Sequence, residues 1–223
     1  MSRARQAKQR VRTARGRSVA STRWLERQLN DPYVHRAREE GYRARSAYKL
    51  LEIDAKHRLL RPGRKVCDLG AAPGSWAQIC ARRGLYVVGL DTVPVDPLAG
   101  CTFIKGDFRD AAVRNRLRAV LDGRADLVLS DMAAAATGQR LVDRLRAEEL
   151  AELVLDFADE VLSEDGDALI KLVKGAEPAA RAAALPRFRQ VQFVRPPATR
   201  KDSSETFLLA RGHRATAATP TEA

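Results

Sequence analysis

Short apolar runs alternate with amphipathic stretches from residue 65 to residue 210. The runs predict seven strands, at residues 65–69, 86–90, 101–104, 126–130, 167–173, 190–194 and 205–210. The stretches between them predict helices, most clearly at residues 75–83, 110–121 and 141–162. Runs such as Tyr86–Leu90 are apolar at consecutive positions, which is typical of strands that helices cover on both faces. The pattern therefore predicts an α/β fold with a doubly wound, mostly parallel sheet, and ligands at the carboxyl ends of its strands.

The first 63 residues follow a different pattern. Residues 1–20 contain few large apolar side chains, which predicts a disordered basic tail. Residues 21–63 are predicted to form a basic helical extension, interrupted at Gly41 and ended by Arg61-Pro62-Gly63. One α/β domain then occupies residues 64–212, and residues 213–223 form a short polar tail.

Composition excludes several classes of protein. Among the 223 residues 45% are hydrophobic and 30% are charged, which is typical of a globular chain and not of a disordered or fibrous one. No run approaches the roughly 18 apolar residues of a membrane span, and the N-terminus lacks the apolar core of a secretory signal. We therefore expect a cytoplasmic protein. Its three cysteines lack Cys-x-x-Cys spacing, so neither a disulfide framework nor a metal site is predicted.

The net charge of +12 is concentrated at the N-terminus. Residues 1–65 hold 19 of the 40 Lys and Arg residues but 6 of the 28 Asp and Glu residues. Such a block favours a polyanion as partner. We prefer an RNA-contacting segment to a solvated tail or a transit peptide, because the basic character continues into the predicted helices. Arg195, Arg200 and Lys201 are expected to extend this segment into a groove for folded RNA.

A loop with two glycines follows the first predicted strand, in the sequence Asp68-Leu69-Gly70-Ala71-Ala72-Pro73-Gly74-Ser75-Trp76. The glycines allow a ligand to approach the backbone, and the helix that follows offers free N–H groups. The G-x-x-x-G spacing differs from the dinucleotide G-x-G-x-x-G, and a carboxylate at Asp68 would repel a pyrophosphate. An NAD-dependent oxidoreductase is therefore disfavoured, and a ligand with an ammonium group fits better.

Two further acids follow the next two predicted strands. Asp91 lies 21 residues after Gly70, where an acid usually accepts hydrogen bonds from ribose hydroxyls. Asp107 is placed to accept one from an adenine amino group. Adenosine combined with an amino-acid ammonium describes S-adenosylmethionine, which is the predicted cofactor. The alternative role for each acid is a turn or a helix cap, for which Asp is well suited.

Lys171 lies inside an otherwise apolar strand. A buried lysine is costly unless it is paired, and the simplest alternative is a strand-end lysine that reaches solvent. Asp131 follows the fourth predicted strand and Glu205 begins the last one. These two acids are placed to flank Lys171 and to hold its ammonium group.

The chain resembles the FtsJ/RlmE family of ribosomal RNA 2′-O-methyltransferases over residues 21–212. The resemblance is carried by residues 21–25, 42–50, 68–76, 90–96, 106–110, 129–138, 170–175 and 203–207. It implies a Rossmann-like class I S-adenosylmethionine-dependent methyltransferase fold, with a seven-stranded sheet and an antiparallel last strand. The chain departs from the family's usual pattern at Ser75, where glycine is common, and at Ala134 and Ala135, where Pro and Asn are common.

The resemblance also implies functional residues and a substrate. The catalytic tetrad is Lys49, Asp131, Lys171 and Glu205, with Lys171 as general base. The implied cofactor contacts are Asp68, Gly70, Pro73, Gly74, Trp76, Asp91, Asp107 and Asp131. The implied reaction methylates the 2′-hydroxyl of a uridine ribose in large-subunit ribosomal RNA, on the assembled subunit, and we expect a monomer. Two alternatives remain: a tRNA ribose methyltransferase with the same catalytic residues, and a non-catalytic RNA-binding module.

Overall fold

The computed structural model describes residues 18–200 and 202–214, without the side chains of residues 20, 23 and 24. The tails predicted at residues 1–20 and 213–223 fall almost entirely outside these ranges, and so does Lys201.

Three helices precede an alternation of strands and helices. The helices are α1 (Val19–Leu29), α2 (Pro32–Glu39), α3 (Ala47–His57), α4 (Ser75–Arg82), α5 (Ala111–Leu121), α6 (Arg140–Val161) and α7 (Glu177–Ala184). The strands are β1 (Lys65–Leu69), β2 (Tyr86–Asp91), β3 (Cys101–Lys105), β4 (Ala125–Ser130), β5 (Leu162–Val173), β6 (Phe188–Val194) and β7 (Glu205–His213).

The strands form one sheet in the order β3-β2-β1-β4-β5-β7-β6. Strand β7 is antiparallel to both of its neighbours, while β1 to β5 pair in parallel. The chain builds the sheet outward from β1 to β3 and then returns to β4 on the other side of β1. The topological switch point therefore lies between β1 and β4, where α/β proteins bind ligands. The predicted seven-stranded sheet with an antiparallel last strand is confirmed.

Two apolar layers cover the sheet, because successive residues of a strand face opposite sides. Cys67 of β1 belongs to the layer that contains Phe157 and the other buried residues of α5, α6 and α7. Val66 belongs to the opposite layer, with Trp76 of α4 and Leu50 of α3. Helix α3 thus packs directly on the sheet, which fixes the side chains that it carries relative to the strands.

Some element boundaries differ from the prediction. Helix α3 ends at His57, before the predicted stop, because Arg58 adopts a left-handed conformation with φ of 54°. Strand β5 begins at Leu162 and not at residue 167, and its pairing with β4 shifts register between Ala125 and Leu127. The sequence analysis named no helix at α7, a short element whose eight residues are mostly alanine.

The three cysteines are free thiols. Cys67 and Cys80 are fully buried and pack as small apolar side chains, and Cys101 is partly exposed. Within the described ranges, none of the helices combines the length and the apolar character needed to cross a membrane.

Candidate active site

A cavity of about 610 Å³ opens at the carboxyl ends of the central strands. Its polar wall includes Gly70 after β1, Asp91 at the end of β2, Asp107 after β3 and Asp131 after β4. The larger apolar side chains in the wall are Leu90, Phe108, Met132, Leu150 and Leu153. This combination of an apolar lining with a few polar groups is typical of a small-molecule site.

The loop after β1 needs glycine at its first position. Gly70 has φ of 79°, and a Cβ there would lie 2.9 Å from the backbone nitrogen of Met132. Since backbone cannot move aside as a flexible side chain does, any larger residue would separate the loops after β1 and β4. The absence of a side chain at Gly70 thus keeps these two loops in contact at the cavity.

Asp91 joins the glycine loop to the end of β2. Its Oδ2 accepts a hydrogen bond from the backbone N–H of Ala72 at 2.9 Å, and its Oδ1 accepts one from Val93 at 2.9 Å. The Thr92 hydroxyl also donates to Oδ1, at 3.4 Å. A carboxylate has about four lone-pair positions, so these three bonds leave capacity at Oδ2 for a ligand hydroxyl in the cavity.

Asp107 is held by an arginine that sequence analysis did not identify. Its two oxygens accept hydrogen bonds from Arg109 Nε at 3.1 Å and from the Arg109 NH2 nitrogen at 2.7 Å. These bonds lower the pKa of Asp107, so the carboxylate stays ionised and fixed in orientation at the edge of the cavity.

Asp68 is not among the residues of the cavity wall, and its expected contact with a ligand ammonium stays a prediction. It is fully buried, and neither oxygen has a hydrogen-bond partner of normal geometry. Burial, followed by the nearby carboxylate of Asp131, raises its pKa to about 7, although the backbone N–H of Ala77 acts in the opposite direction. The physical reason is strand alternation: Asp68 lies on the same face of β1 as Val66, towards the start of α4.

Pro73, Gly74 and Trp76 are likewise absent from the cavity wall. The indole of Trp76 is buried, donates from Nε1 to the backbone oxygen of Ser46 at 2.9 Å, and packs 5.9 Å from the Phe207 ring. The Ser75 hydroxyl lies 2.6 Å from the Ser46 hydroxyl. These side chains attach α4 to α3, and only backbone groups of this turn remain for a ligand.

Four charged side chains meet beside the cavity. Nζ of Lys171 lies 3.1 Å from Oδ1 of Asp131 and also donates to the Asp131 backbone oxygen. Nζ of Lys49 donates to Oε2 of Glu205 at 3.0 Å and lies 3.8 Å from Oδ1 of Asp131. We call Lys49, Asp131, Lys171 and Glu205 the rim quartet, because it lies at the carboxyl-end rim of the sheet.

Burial and charge balance each other in the rim quartet. The side chains of Lys49 and Lys171 are 8% and 9% exposed, so both ammonium groups depend on the two carboxylates for compensation. Burial alone would raise the pKa of Glu205, but the charges of Lys49 and Lys171 and the hydrogen bonds with Lys49 and Ser203 together outweigh it, and the pKa is lowered. Because Asp131 also belongs to the cavity wall, the quartet borders any ligand bound there.

Sequence reasoning missed three arginines near the cavity. Arg109 holds Asp107, Arg146 of α6 lies in the cavity wall, and Arg43 donates to the backbone oxygen of Pro73. For Arg43 the signal was its place in the motif at residues 42–50, but a motif does not show which group a side chain will contact. Arg109 lies in another such motif, at residues 106–110, and the same limit applies to it, whereas Arg146 lies in none of the motifs that carry the resemblance.

Comparison with known proteins assigns this chain to a family. The sequence pattern of the FtsJ-like methyltransferase family matches residues 42–213. A protein from Gluconobacter oxydans is 50% identical over 92% of this chain and 77% of its own length, and one from Xanthobacter autotrophicus is 47% identical over 93% and 84%. Both are named ribosomal RNA large subunit methyltransferase E.

A solved structure agrees with these sequence relatives. It is a provisionally described ribosomal RNA methyltransferase from Plasmodium falciparum, 26% identical, with a TM-score of 0.69 over 77% of this chain and 98% of that chain. The family pattern covers the glycine loop, all four residues of the rim quartet and the whole sheet. The chain therefore belongs to the FtsJ-like methyltransferase family.

Proposed function

We propose that the protein transfers a methyl group from S-adenosylmethionine to the 2′-hydroxyl of a uridine ribose in large-subunit ribosomal RNA. The observation that carries the proposal is the rim quartet, a pair of lysines held by two acids at the wall of a nucleotide-sized cavity. The class of RNA comes from the name of the relatives, which favours ribosomal RNA over tRNA.

The cavity residues fit the proposed donor. Asp91 is placed to accept hydrogen bonds from ribose hydroxyls, and Asp107 to accept one from the adenine amino group, with apolar side chains such as Phe108 between the polar ends. When bound, S-adenosylmethionine supplies an electrophilic methyl group on a sulfonium. Gly70 and Asp131 border the part of the cavity nearest the rim quartet.

Lys171 is the proposed general base. Its Nζ donates to the backbone oxygen of Asp131 and pairs with the carboxylate of the same residue, and these two contacts fix its direction. In its neutral form, Nζ has a lone pair that accepts the proton of the 2′-hydroxyl as that oxygen attacks the methyl carbon and the bond from methyl to sulfur breaks. Because methyl transfer is an in-line displacement, much of the catalysis is the alignment that these fixed groups impose.

Lys49 and Glu205 have a supporting role in this proposal. Lys49 is bonded to Glu205 and also approaches the same Asp131 oxygen that holds Lys171. Its ammonium group therefore helps to fix the carboxylate that orients the base. Since Lys49 belongs to α3 and Glu205 to β7, this pair also attaches the N-terminal helices to the catalytic edge of the sheet.

We infer that the N-terminal helices contribute the RNA-binding surface, but with fewer charges than the composition suggests. Several basic residues serve internal contacts, as when Arg64 pairs with Asp167 at 3.0 Å and Arg200 pairs with Asp31 at 3.0 Å. The described basic residues that remain exposed on this region are Arg27, Arg36, Arg38, Lys56, Arg58 and Arg61. Arg36 pairs with Glu40 and Arg27 lies 3.7 Å from Asp202, so the charges most available to neutralise phosphates are those of Arg38, Lys56, Arg58 and Arg61.

Methylation of defined RNAs tests the proposal. Purified protein with S-adenosylmethionine should methylate a uridine ribose in large ribosomal subunits from cells that lack it, but should leave tRNA from the same cells unmodified. Mass mapping of nuclease fragments would locate the added methyl on the ribose. Methylation of tRNA alone, methylation of a base, or RNA binding without transfer would each overturn the proposal.

A further inference from the structure

Arg43 joins the two loops that form one side of the cavity, although it is not itself in the cavity wall. Its guanidinium donates to the backbone oxygen of Pro73 at 3.1 Å, in the loop after β1. It also donates to the backbone oxygens of Asp96 at 2.9 Å and Pro97 at 3.0 Å, in the connection from β2 to β3. One side chain thus satisfies three carbonyls from two separate loops.

The same two loops meet the cavity on their other side. Gly70 and Ala72 of the first loop lie in the cavity wall, as do Asp91 and Thr92 at the start of the second. The Asp91 carboxylate joins the loops directly through the Ala72 N–H. The spacing between the loops is therefore set by an inner contact at Asp91 and an outer one at Arg43.

Gly74 leaves the room that the Arg43 guanidinium requires. A Cβ at Gly74 would lie 2.5 Å from the Arg43 NH1 nitrogen and 3.0 Å from a methyl carbon of Val95. Gly74 also has φ of 96°, which side chains disfavour. The second glycine of the G-x-x-x-G loop therefore accommodates a side chain of this protein and not only a ligand.

The position of Arg43 is itself well determined. Its backbone N–H donates to Gln78 Oε1 at 3.1 Å, and Gln78 Nε2 donates back to the Gly41 oxygen at 2.9 Å. Both contacts anchor the turn before α3 to the side of α4. A rigid backbone anchor and a planar guanidinium with several donors suit a residue that holds two loops together at a fixed distance.

We propose that Arg43 is a positioning residue for methyl-donor binding, which sets the width of the cavity by holding the β1–α4 loop against the β2–β3 connection. The proposal rests on the proposed function, in that S-adenosylmethionine is the ligand. Arg43 contacts none of the rim quartet among the described residues, so its effect is on donor affinity and not on the transfer step.

The test compares Arg43→Ala and Arg43→Lys with Arg82→Ala as matched control. Arg82 is a neighbouring arginine that donates to the Gly41 oxygen and covers the Tyr42 ring, but contacts neither loop. Titration calorimetry with S-adenosylmethionine should show Kd raised about tenfold or more in Arg43→Ala, the scale of losing charged hydrogen bonds. Arg82→Ala should bind like the wild type, and Arg43→Lys should lie between, since an ammonium cannot reproduce the fork.

Kinetics separate positioning from a general loss of structure. Arg43→Ala should raise KM for S-adenosylmethionine in parallel with Kd, while kcat at saturating donor stays close to the wild-type value. The inference is overturned if a folded Arg43→Ala binds the donor as the wild type does, or if kcat falls while KM is unchanged. If Arg43→Ala does not fold, the same two criteria apply to Arg43→Lys. A wild-type protein that binds no S-adenosylmethionine would overturn the proposed function as well.

Discussion

Strands β5 and β7 carry two clusters of buried charge, and only one of them opens to a cavity. At the carboxyl end of β5 lies the rim quartet. At Asp167, where the regular pairing of β5 with β4 begins, lies what we call the basal cluster, formed by Arg64, Asp167 and Arg211. Asp167 pairs with Arg64 at 3.0 Å and with Arg211 at 3.5 Å, and accepts a hydrogen bond from the Gly212 N–H at 3.3 Å.

The two clusters differ in how far the surrounding elements cover their carboxylates. Asp167 has a side chain that is 3% exposed, and two cations with a backbone N–H complete its surroundings. In the rim quartet Asp131 is 20% exposed and faces the cavity. Loops at the carboxyl ends of parallel strands leave an open crevice at the switch point. The two clusters contain similar ion pairs on the same two strands. The basal cluster therefore contributes to stability, whereas the rim quartet is accessible to a ligand.

The largest expected effect is a loss of methyl-transfer activity when the rim quartet is altered, which the basal cluster should not show. Lys171→Ala should lower kcat about 100-fold or more, the range expected for loss of a general base, while Kd for S-adenosylmethionine stays nearly unchanged. Lys174→Ala is the control, because Lys174 is an exposed lysine three residues further along. Methyl transfer to ribosomal RNA is the measurement. Retention of more than a few per cent of wild-type activity in Lys171→Ala would exclude Lys171 as the base.

The basal cluster should show the opposite behaviour. Asp167→Asn leaves Arg64 and Arg211, both partly buried, without their anion and should lower the free energy of unfolding by about 3 kcal/mol, with unchanged activity per folded molecule. Urea denaturation measures the loss. Asp165→Asn on the same strand is the control, since its exposed pairing with Arg189 contributes little and Asn tolerates its positive φ. A loss of kcat in folded Asp167→Asn would contradict the division of roles.

Asp68 is a further buried carboxylate, and no cation of the rim quartet or of the basal cluster pairs with it. Its folded pKa of about 7 lies above the value in the unfolded chain, so its contribution to stability is complete below pH 4 and is lost as the pH rises through 7. The loss between pH 5 and pH 7 should be about 2 kcal/mol. Asp68→Asn should remove this part of the pH dependence in denaturation curves. Parallel curves for wild type and variant would show that Asp68 does not titrate in this range.

The smallest expected effect is on the salt dependence of RNA binding, and it concerns exposed basic residues that belong to neither cluster. Arg38 of α2 is exposed, and Arg38→Ala should reduce the slope of log binding constant against log salt by about 0.7–0.9 for a ribosomal RNA fragment. Arg116→Ala on α5 is a matched exposed control and should leave the slope unchanged. Equal slopes for wild type and Arg38→Ala would place the RNA surface elsewhere.

Local patterns were sufficient for most of the fold but only for part of the site. Apolar runs predict the seven strands because buried parallel strands need apolar residues on both faces. Strand alternation is just as local, and it places Asp68 on the face of β1 that α4 covers, which the loop motif alone did not indicate. The same holds for Trp76, since its indole joins α4 to the start of α3 and does not line the cavity.

By itself the sequence determined the seven strands in their chain order, the loop with two glycines and the family to which the chain belongs. Those features depend on periodicity, turn residues and motifs that lie within a few positions of one another. The tertiary structure decided which charges meet, as Lys49 and Glu205 do across 156 positions, and which arginines are consumed by internal contacts. The reason is that an ion pair depends on the distance between two side chains in space, and that distance is set only when the sheet brings its strand ends together.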